Sequence, residues 1–345
     1  MAPFLPDDLA ATLRAAPRTW LVTGAAGFIG SHLVEGLLYA GQTVRGLDNL
    51  STGRMENVEA VRDVAPERYT FAEADLRSLD ACRDACAGVD VVLHQAALGS
   101  VPRSVADPLA THTNNVDGTL NVLVAARDAG VSRVVFASSS SVYGDHPALP
   151  KVEANVGTPL SPYAVSKRTG ELYARTFWDH YGLSTVGLRY FNVFGARQDP
   201  DGPYAAVLPK WIATLVAGEA PTVYGDGETS RDFCYVANVV QANLRAALAG
   251  PEVSGRVFNV AGGDRTTLRE LYAAVAEGLV AAGVIDSVPA LKTADFRPGD
   301  IRHSLADTSA ARAAFGYSPT HRVADGLREA LAWYVASLAR PAAVG

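Results

Sequence analysis

Residues 19 to 30, TWLVTGAAGFIG, set a β-branched apolar run directly before three spaced glycines, Gly24, Gly27 and Gly30, and an apolar helical stretch follows from Phe28 to Ala40. No other junction constrains the chain as much. Glycine at the first two positions lets the backbone turn tightly and lie close to a bulky anion. The helix opening there offers unpaired N–H groups and the positive end of its dipole to the same spot. Gly30 permits close packing of helix on strand. A second strand, TVRGLDN, then ends in Asp48, which completes the strand–turn–helix–strand context of a dinucleotide pyrophosphate site.

The same alternation continues. YTFAEAD, DVVLHQA, RVVFASS and STVGLRYFNVFG read as strands, with helices expected near 78 to 87, from 106 to 129 and from about 161 to 181. A short amphipathic helix is expected over 5 to 15, and a loop from Asn49 to about Val58. Short β-branched runs between longer helical ones specify a parallel sheet with right-handed crossovers and helices on both faces, an α/β doubly wound Rossmann sheet. After Phe194 the rhythm changes, with Pro200, Pro203, Pro209 and Pro221, and then a helix near 238 to 249 and a strand at 256 to 263 return to it. The expected division is a dinucleotide-binding domain over 19–195 with return segments near 238–263. A smaller, discontinuous C-terminal α/β lobe covers 196–237 and 264–340, and 1–18 forms an N-terminal extension.

The 345 residues, 48% hydrophobic and 19% charged, suit a globular protein with a substantial core. A net charge of −6 argues against a nucleic-acid partner, so an anionic ligand has to meet local positive charge. Cys82, Cys86 and Cys234 lack paired spacing, which argues against a disulfide framework and a metal site and suits a reducing cytoplasm. Neither a signal peptide nor a membrane span is expected.

Asp48 is placed to accept from the adenosine ribose hydroxyls and to repel a 2′-phosphate, which favours NAD over NADP. Arg45 and Arg54 are the counterweight, since an arginine near that position accommodates the phosphate. Asp75, ending the third strand, is placed to meet the adenine amino group. Gln95, Ala96 and Ala97 end the fourth along the cofactor.

Residues 136 to 171 hold the candidate reaction centre. A strand ends in Ser138, Ser139, Ser140 and Ser141, and a following helix carries Tyr163 and Lys167, one turn apart on one face. A lysine ammonium beside a phenol favours the phenolate and is expected to lower its pKa from about 10 toward neutrality, giving a base.

Together TGAAGFIGSHLVEGL, DNLSTG, HQAALGSVPRS, SSSSVYGD, SPYAVSK, LRYFNVFG, GETSRDF and RPGDIRHSLAD resemble the extended short-chain dehydrogenase/reductase family of nucleotide-sugar epimerases. HQAALGSVPRS, YGDHPALPKVE and GDGETSRDFCY are most similar to its bacterial UDP-N-acetylglucosamine 4-epimerases. The resemblance implies a catalytic triad of Ser139, Tyr163 and Lys167, bound NAD, and a homodimer joined through helices near 106 to 129 and 161 to 181. It adds Phe28, Ile29, Asn49, Ser51, Thr52, Gly53, Leu76 and Tyr190 as cofactor contacts, with Asn114 or Asn115 supporting the sheet and cofactor.

For a UDP-sugar partner the resemblance implies Asn192 and Arg231 near the diphosphate, Ala206, Val207 and Tyr224 around the uracil, and Arg297 with Asp300 at the diphosphate and ribose. Ser100, Ser139, Ser140 and Ser141 form a hydroxyl wall that hydrogen-bonds a sugar in more than one pose. Where relatives restricted to UDP-glucose and UDP-galactose carry a bulky tyrosine near C2, this chain has Ser304, which leaves room for an N-acetyl group. UDP-GlcNAc and UDP-GalNAc are therefore expected, with UDP-glucose and UDP-galactose second. The alternatives are a UDP-uronate 4-epimerase, which a cation facing C6 would favour and for which Arg103 is a candidate, and a non-catalytic NAD-sensing protein. A 4,6-dehydratase is disfavoured, because Ser140 and Ser141 stand where that branch has an Asp–Glu pair.

Overall fold

The computed structural model describes residues 5–199, 207–295 and 302–338. In chain order the first half comprises α1 (Asp7–Ala15), β1 (Thr19–Thr23), α2 (Phe28–Tyr39), β2 (Thr43–Asp48), α3 (Met55–Arg62), β3 (Tyr69–Glu73), α4 (Leu79–Cys86) and β4 (Val91–His94). Next come α5 (Val101–Ala106), α6 (Pro108–His112), a π-helical turn (Thr113–Asp117), α7 (Gly118–Asp128), β5 (Arg133–Ser139), α8 (Pro162–Tyr181), β6 (Ser184–Tyr190) and β7 (Val193–Phe194). The remainder is α9 (Val207–Val216), β8 (Thr222–Tyr224), β9 (Ser230–Arg231), β10 (Cys234–Tyr235), α10 (Val236–Leu248), β11 (Arg256–Val260), β12 (Thr266–Thr267), α11 (Leu268–Ala281), β13 (Lys292–Ala294), α12 (Ser309–Phe315) and α13 (Val323–Leu338).

Seven parallel strands form the central sheet in the order β11-β6-β5-β4-β1-β2-β3. Strand order reverses between β1 and β4, and ligands bind doubly wound sheets at the carboxyl ends of the strands at such a point. Successive side chains of β1 face opposite sides. Trp20 and Val22 join Leu33 and Leu37 of α2 and Val240 and Leu244 of α10 in one buried cluster, while Leu21 joins Val122, Leu123 and Phe177 in another. The amphipathic α1 adds Leu9 and Leu13 to the first cluster, and Arg245 pairs with Asp8 at 2.8 Å. Beyond the sheet, α9, α11 and α13 bury a separate cluster that includes Trp211, Ile212, Leu271, Val275, Leu331 and Tyr334.

Three expected elements differ. Within the expected loop after Asn49, residues 55–62 form α3, because Val58 and Val61 fall on one face and are buried. The single helix over 106 to 129 is instead α5, α6, the π turn and α7, starting at Val101. Asp107 and Pro108 break it, the Asp107 carboxylate accepting from Ala110 N at 2.9 Å to start a new helix. The long strand STVGLRYFNVFG stops after Tyr190 and resumes as β7, with Asn192 at φ 33° between them. No helix among the described residues is long and apolar enough to cross a membrane.

Candidate active site

A cleft runs along the carboxyl ends of β1, β2, β3 and β4. Its wall includes Gly24, Gly27, Phe28, Ile29, Gly30, Asp48, Asn49, Ser51, Thr52, Asp75, Leu76, Gln95, Ala96, Ala97 and Asn114. Of the expected cofactor residues, Gly53, Tyr163, Lys167 and Tyr190 do not line it. The glycine turn is built for close approach. Gly24 has φ +70° and a Cβ there would lie 2.8 Å from Ala96 N, while a Cβ at Gly30 would lie 2.0 Å from Gly24 O. Any side chain at either position would push the turn off β4 or lift α2 from it.

Asp48 joins this turn to the next loop. Its carboxylate accepts from Ala26 N at 3.1 Å and Leu50 N at 2.8 Å, and Gly53 packs close against it. Burial raises its pKa against those backbone donors. Asp75 accepts from Asn49 Nδ2 at 3.0 Å and is gripped by Arg77, whose hydrogen bonds hold its carboxyl well below the usual carboxylate range. The two arginines weighed as 2′-phosphate ligands are both engaged. Arg45 caps α4 through the Asp84, Ala85 and Ala87 carbonyls, and Arg54 pairs with Asp199 at 2.6 Å. The turn, the buried acid and the small residues at the end of β4 fit a dinucleotide with unmodified ribose.

Ser139 ends β5 and Tyr163 and Lys167 begin α8. The helix starts here because Ser161 Oγ accepts from Ala164 N at 3.1 Å and Pro162 occupies its first position. Ser139 Oγ accepts from Ser141 N at 3.1 Å and its side chain hydrogen-bonds the Tyr163 phenol, lowering the phenol's pKa, while Lys167 Nζ lies 5.9 Å from the Tyr163 ring centroid. The three side chains therefore converge.

The expected depression of the Tyr163 pKa is not what this protein environment produces. Burial raises it above 10, with only the Ser139 hydrogen bond opposing, and burial also pulls Lys167 down to about 8. The Lys167 ammonium donates to Ala137 O at 2.9 Å, so it is spent partly on the end of β5. Desolvation penalises both charged forms and, for Tyr163, outweighs the Ser139 hydrogen bond.

Several residues hold this arrangement: Asn114, Asn115, Gln95 and Tyr190 are expected there from the sequence, whereas their partners Ser166 and Asn243 are not. Asn115, buried in the π turn, ties Leu98 to α8 by accepting from Leu98 N at 2.8 Å and donating to Ser166 Oγ at 3.1 Å. Its neighbour Asn114 lines the cleft and donates to Ala110 O at 2.8 Å. The Tyr190 phenol hydrogen-bonds Gln95 Oε1 at 2.9 Å and Asn243, and Gln95 Nε2 donates to Asn243 Oδ1 at 3.0 Å. Tyr190 thus braces Gln95 from behind the cleft. Arg197 and Asp199 also line the cleft, and they come from the loop after β7 where the strand–helix rhythm gave no signal.

At the C-terminal side, three segments meet around Asp232. Its main-chain oxygen accepts from Asn192 Nδ2 at 3.0 Å, and its carboxylate accepts from Gly263 N and Ala306 N, each at 3.1 Å. Burial raises the Asp232 carboxyl to about 7. Ser304 N donates to Ser230 O at 3.1 Å and Ser230 Oγ shares a 2.9 Å hydrogen bond with His303 Nδ1, so Asn192, Arg231 and Ser304 lie on joined segments. Arg231 is half-buried and donates to Ser230 O, and Tyr224, ending β8, is exposed. Val207 begins α9. Ala206, Arg297 and Asp300 lie outside the described residues. Ser100 caps α5 with φ 114°, and Ser140 and Ser141 form a short 3₁₀ turn in which Ser141 Oγ is buried with no hydrogen-bond partner among the described residues. Among the described residues no cluster of His, Cys, Asp or Glu could hold a metal ion.

The model of the NAD dependent epimerase/dehydratase family matches residues 20–261, the span from β1 through β11. The chain belongs to that family. Its fold is the family's α/β doubly wound sheet, it is an enzyme, and its cofactor is NAD. The UDP-glucose 4-epimerase of Mycolicibacterium smegmatis is 40% identical over 324 residues, covering 91% of this chain and 97% of that protein. Among solved structures, the UDP-N-acetylglucosamine 4-epimerase from Methanobrevibacter ruminantium M1 in complex with UDP-N-acetylmuramic acid is 41% identical, with a TM-score of 0.86 and coverage of 93% and 99%. The Thermus thermophilus UDP-glucose 4-epimerase complex with NAD is 36% identical, with a TM-score of 0.79 and coverage of 92% and 99%.

Proposed function

We propose that this member of the family is a UDP-sugar 4-epimerase that interconverts UDP-GlcNAc and UDP-GalNAc, with UDP-glucose and UDP-galactose as a slower pair. The observation that carries the choice of sugar is Ser304, a small side chain on the segment tied to Ser230 and beside the Asp232 junction. A serine there leaves space at C2 that a tyrosine would fill. The 41% identity to a UDP-N-acetylglucosamine 4-epimerase supports the same reading.

Inverting C4 requires its C–H bond to break and re-form on the other face. Held by the Gly24–Gly30 turn, Asp48 and Asp75, NAD would supply the capacity to take up that hydride and return it. Tyr163 takes the proton from the 4-hydroxyl and later gives it back. Ser139, hydrogen-bonded to the phenol, bridges it to the 4-oxygen and favours the phenolate. Lys167 fixes the phenol's position from the next turn of α8 and adds positive charge near it. Ser140 and Ser141 supply no acid, so nothing at the strand end drives elimination from the 4-keto sugar. That ketone must turn over in the pocket, and Ser100, Ser140 and Ser141 offer hydroxyls that suit either pose. Asn192, Arg231, Tyr224 and Val207, with Ala206, Arg297 and Asp300, are the residues we assign to holding the UDP.

We read the protein as a homodimer. Val105, Leu109, Val165 and Leu172, on α5, α6 and α8, are exposed apolar side chains on the surface expected to join two copies.

The test of the sugar assignment is Ser304→Tyr. Turnover of UDP-GlcNAc should fall at least about tenfold relative to UDP-glucose, the scale on which pocket shape discriminates. Equal loss or no loss on both sugars would refute the size argument.

A further inference from the structure

Among the described residues three arginines line the cofactor cleft, Arg54, Arg77 and Arg197. Arg77 is gripped by Asp75 and Arg54 by Asp199. Arg197 differs: its Nη2 pairs with Glu35 of α2 at 2.9 Å, while its Nη1 is buried and has no hydrogen-bond partner among the described residues. A desolvated guanidinium nitrogen left unpaired is costly, and the ligand that remedies it is an anion. Its position names the anion. Arg197 acts electrostatically on His32, one turn into α2, and shares the cleft wall with Phe28 and Ile29 at the helix start, where the glycine turn accommodates a pyrophosphate.

The backbone around Arg197 is arranged to hold it there. Arg197 has φ 65°, a left-handed conformation unfavourable to a long side chain, and such strain persists where surrounding contacts fix it. Those contacts are present. Gln198 Nε2 donates to Val193 O at 3.0 Å, and the buried Tyr334 phenol of α13 donates to Gln198 Oε1 at 2.9 Å while accepting from Gly195 N. With its back so anchored, the turn is tied to two neighbouring elements, Arg197 to Glu35 of α2 and Asp199 to Arg54, the latter pair beside the Asn49–Gly53 loop.

We propose that Arg197 is a cofactor-holding residue whose Nη1 donates to the dinucleotide's diphosphate, and that the Arg197–Glu35 and Asp199–Arg54 pairs clasp the 195–199 turn over the cofactor to slow its release. The proposal rests on the NAD cofactor and not on which sugar is turned over. Arg54, Arg197 and Asp199 all line the cleft, so a dinucleotide seated there would have to break or slide past these pairs to leave. That is the property an enzyme needs when its cofactor is regenerated in every cycle.

The experiment measures NAD release from purified holoenzyme after dilution into a dehydrogenase scavenging system, with UDP binding measured by calorimetry on the same samples. Arg197→Asn, which tolerates the left-handed backbone, should release NAD at least about tenfold faster, the effect expected for one charge-assisted hydrogen bond, with UDP affinity unchanged. Arg197→Lys should fall between, keeping the charge without the fork. Asp199→Asn should also release NAD faster, since it opens the second point of the clasp while leaving the cation. Unchanged release in Arg197→Asn, or a loss of UDP affinity with NAD release unaltered, would overturn the assignment and move Arg197 to the substrate. If Arg197→Asn does not fold, Asp199→Asn decides: unchanged release in that variant refutes the clasp.

Discussion

Arg189 and Glu171 form a buried bidentate ion pair, Nε to Oε1 at 2.8 Å and Nη2 to Oε2 at 2.9 Å, that fastens α8 to β6 one turn beyond Lys167. Ser138 Oγ also donates to Glu171 Oε1 at 2.6 Å, and Arg168 to Oε2 at 2.7 Å, so both oxygens of the carboxylate accept twice. Ser138 and Ser139 are consecutive at the end of β5 and both reach α8. One docks the helix and the other faces the phenol that the helix carries. Arg189 then stacks over Tyr143, whose phenol donates to Asn259 Oδ1 at 2.7 Å, and Asn259 Nδ2 donates to the Lys151 and Asp307 carbonyls. The docking of α8 is therefore continuous with the segment that carries Ser304.

Removing one partner of this pair leaves a buried charge uncompensated. Arg189→Met should destabilise the protein by about 3–5 kcal/mol in urea unfolding, whereas Arg189→Met with Glu171→Leu should recover much of that loss. Burial pushes the Glu171 carboxyl up, yet Arg189 and its other donors hold it below the usual range. Its stabilising contribution is thus present at neutral pH and is lost as pH falls through the depressed folded value. Equal stability of Arg189→Met and wild type across pH would contradict this.

Tyr163 sits above its usual pKa because it is buried, and Ser139 is the protein group that pulls it down. Ser139→Ala should therefore move the acidic limb of the kcat/KM profile to higher pH, because the phenolate then forms less readily. Tyr163→Phe should lower turnover by about 10²–10⁴, the range for a lost general base, while NAD stays bound. An unshifted limb in Ser139→Ala would separate the serine from the base.

Asp232 gives a pH signature of the opposite sign. With its folded carboxyl raised to about 7, the unfolded chain loses this proton first, so stability falls as pH rises from about 4 to 7. Asp232→Asn removes the titration at the expense of one backbone acceptor. The stability of wild type relative to Asp232→Asn should drop across that window by an amount on the order of a few kcal/mol. A difference independent of pH would show that Asp232 is ionised throughout.

Leu109 and Leu172, 77% and 54% exposed, test the dimer. Leu109→Asp with Leu172→Asp should shift sedimentation to monomer without lowering the stability of the separated chain, since neither side chain is in its core. Unchanged sedimentation would place the interface elsewhere.

Much of this was legible in the sequence because it rests on local rules. The Gly24–Gly30 turn, Asp48 and the Tyr163–Lys167 spacing are fixed by backbone conformation and helical periodicity, and each lies where those rules put it. What was not legible depends on long-range desolvation and on irregular backbone. The sign of the Tyr163 shift is set by burial against β5, which no spacing reports. Asn115 is expected near the sheet and cofactor, but the π turn from which it reaches Ser166 is hidden by a helical pattern. Arg197 and Asp199 reach the cleft from a loop with neither strand nor helix period, so only the folded chain sets them beside Glu35 and Arg54.

The most direct measurement is incubation of the purified protein, without added cofactor, with UDP-GlcNAc, UDP-glucose, UDP-glucuronate and UDP-N-acetylglucosaminuronate in separate tubes, resolving C4 epimers by NMR. The expected result is UDP-GalNAc formed fastest, UDP-galactose more slowly, and little inversion of the two uronates. Inversion of a uronate ahead of UDP-GlcNAc, or no C4 inversion of any of the four, would contradict it.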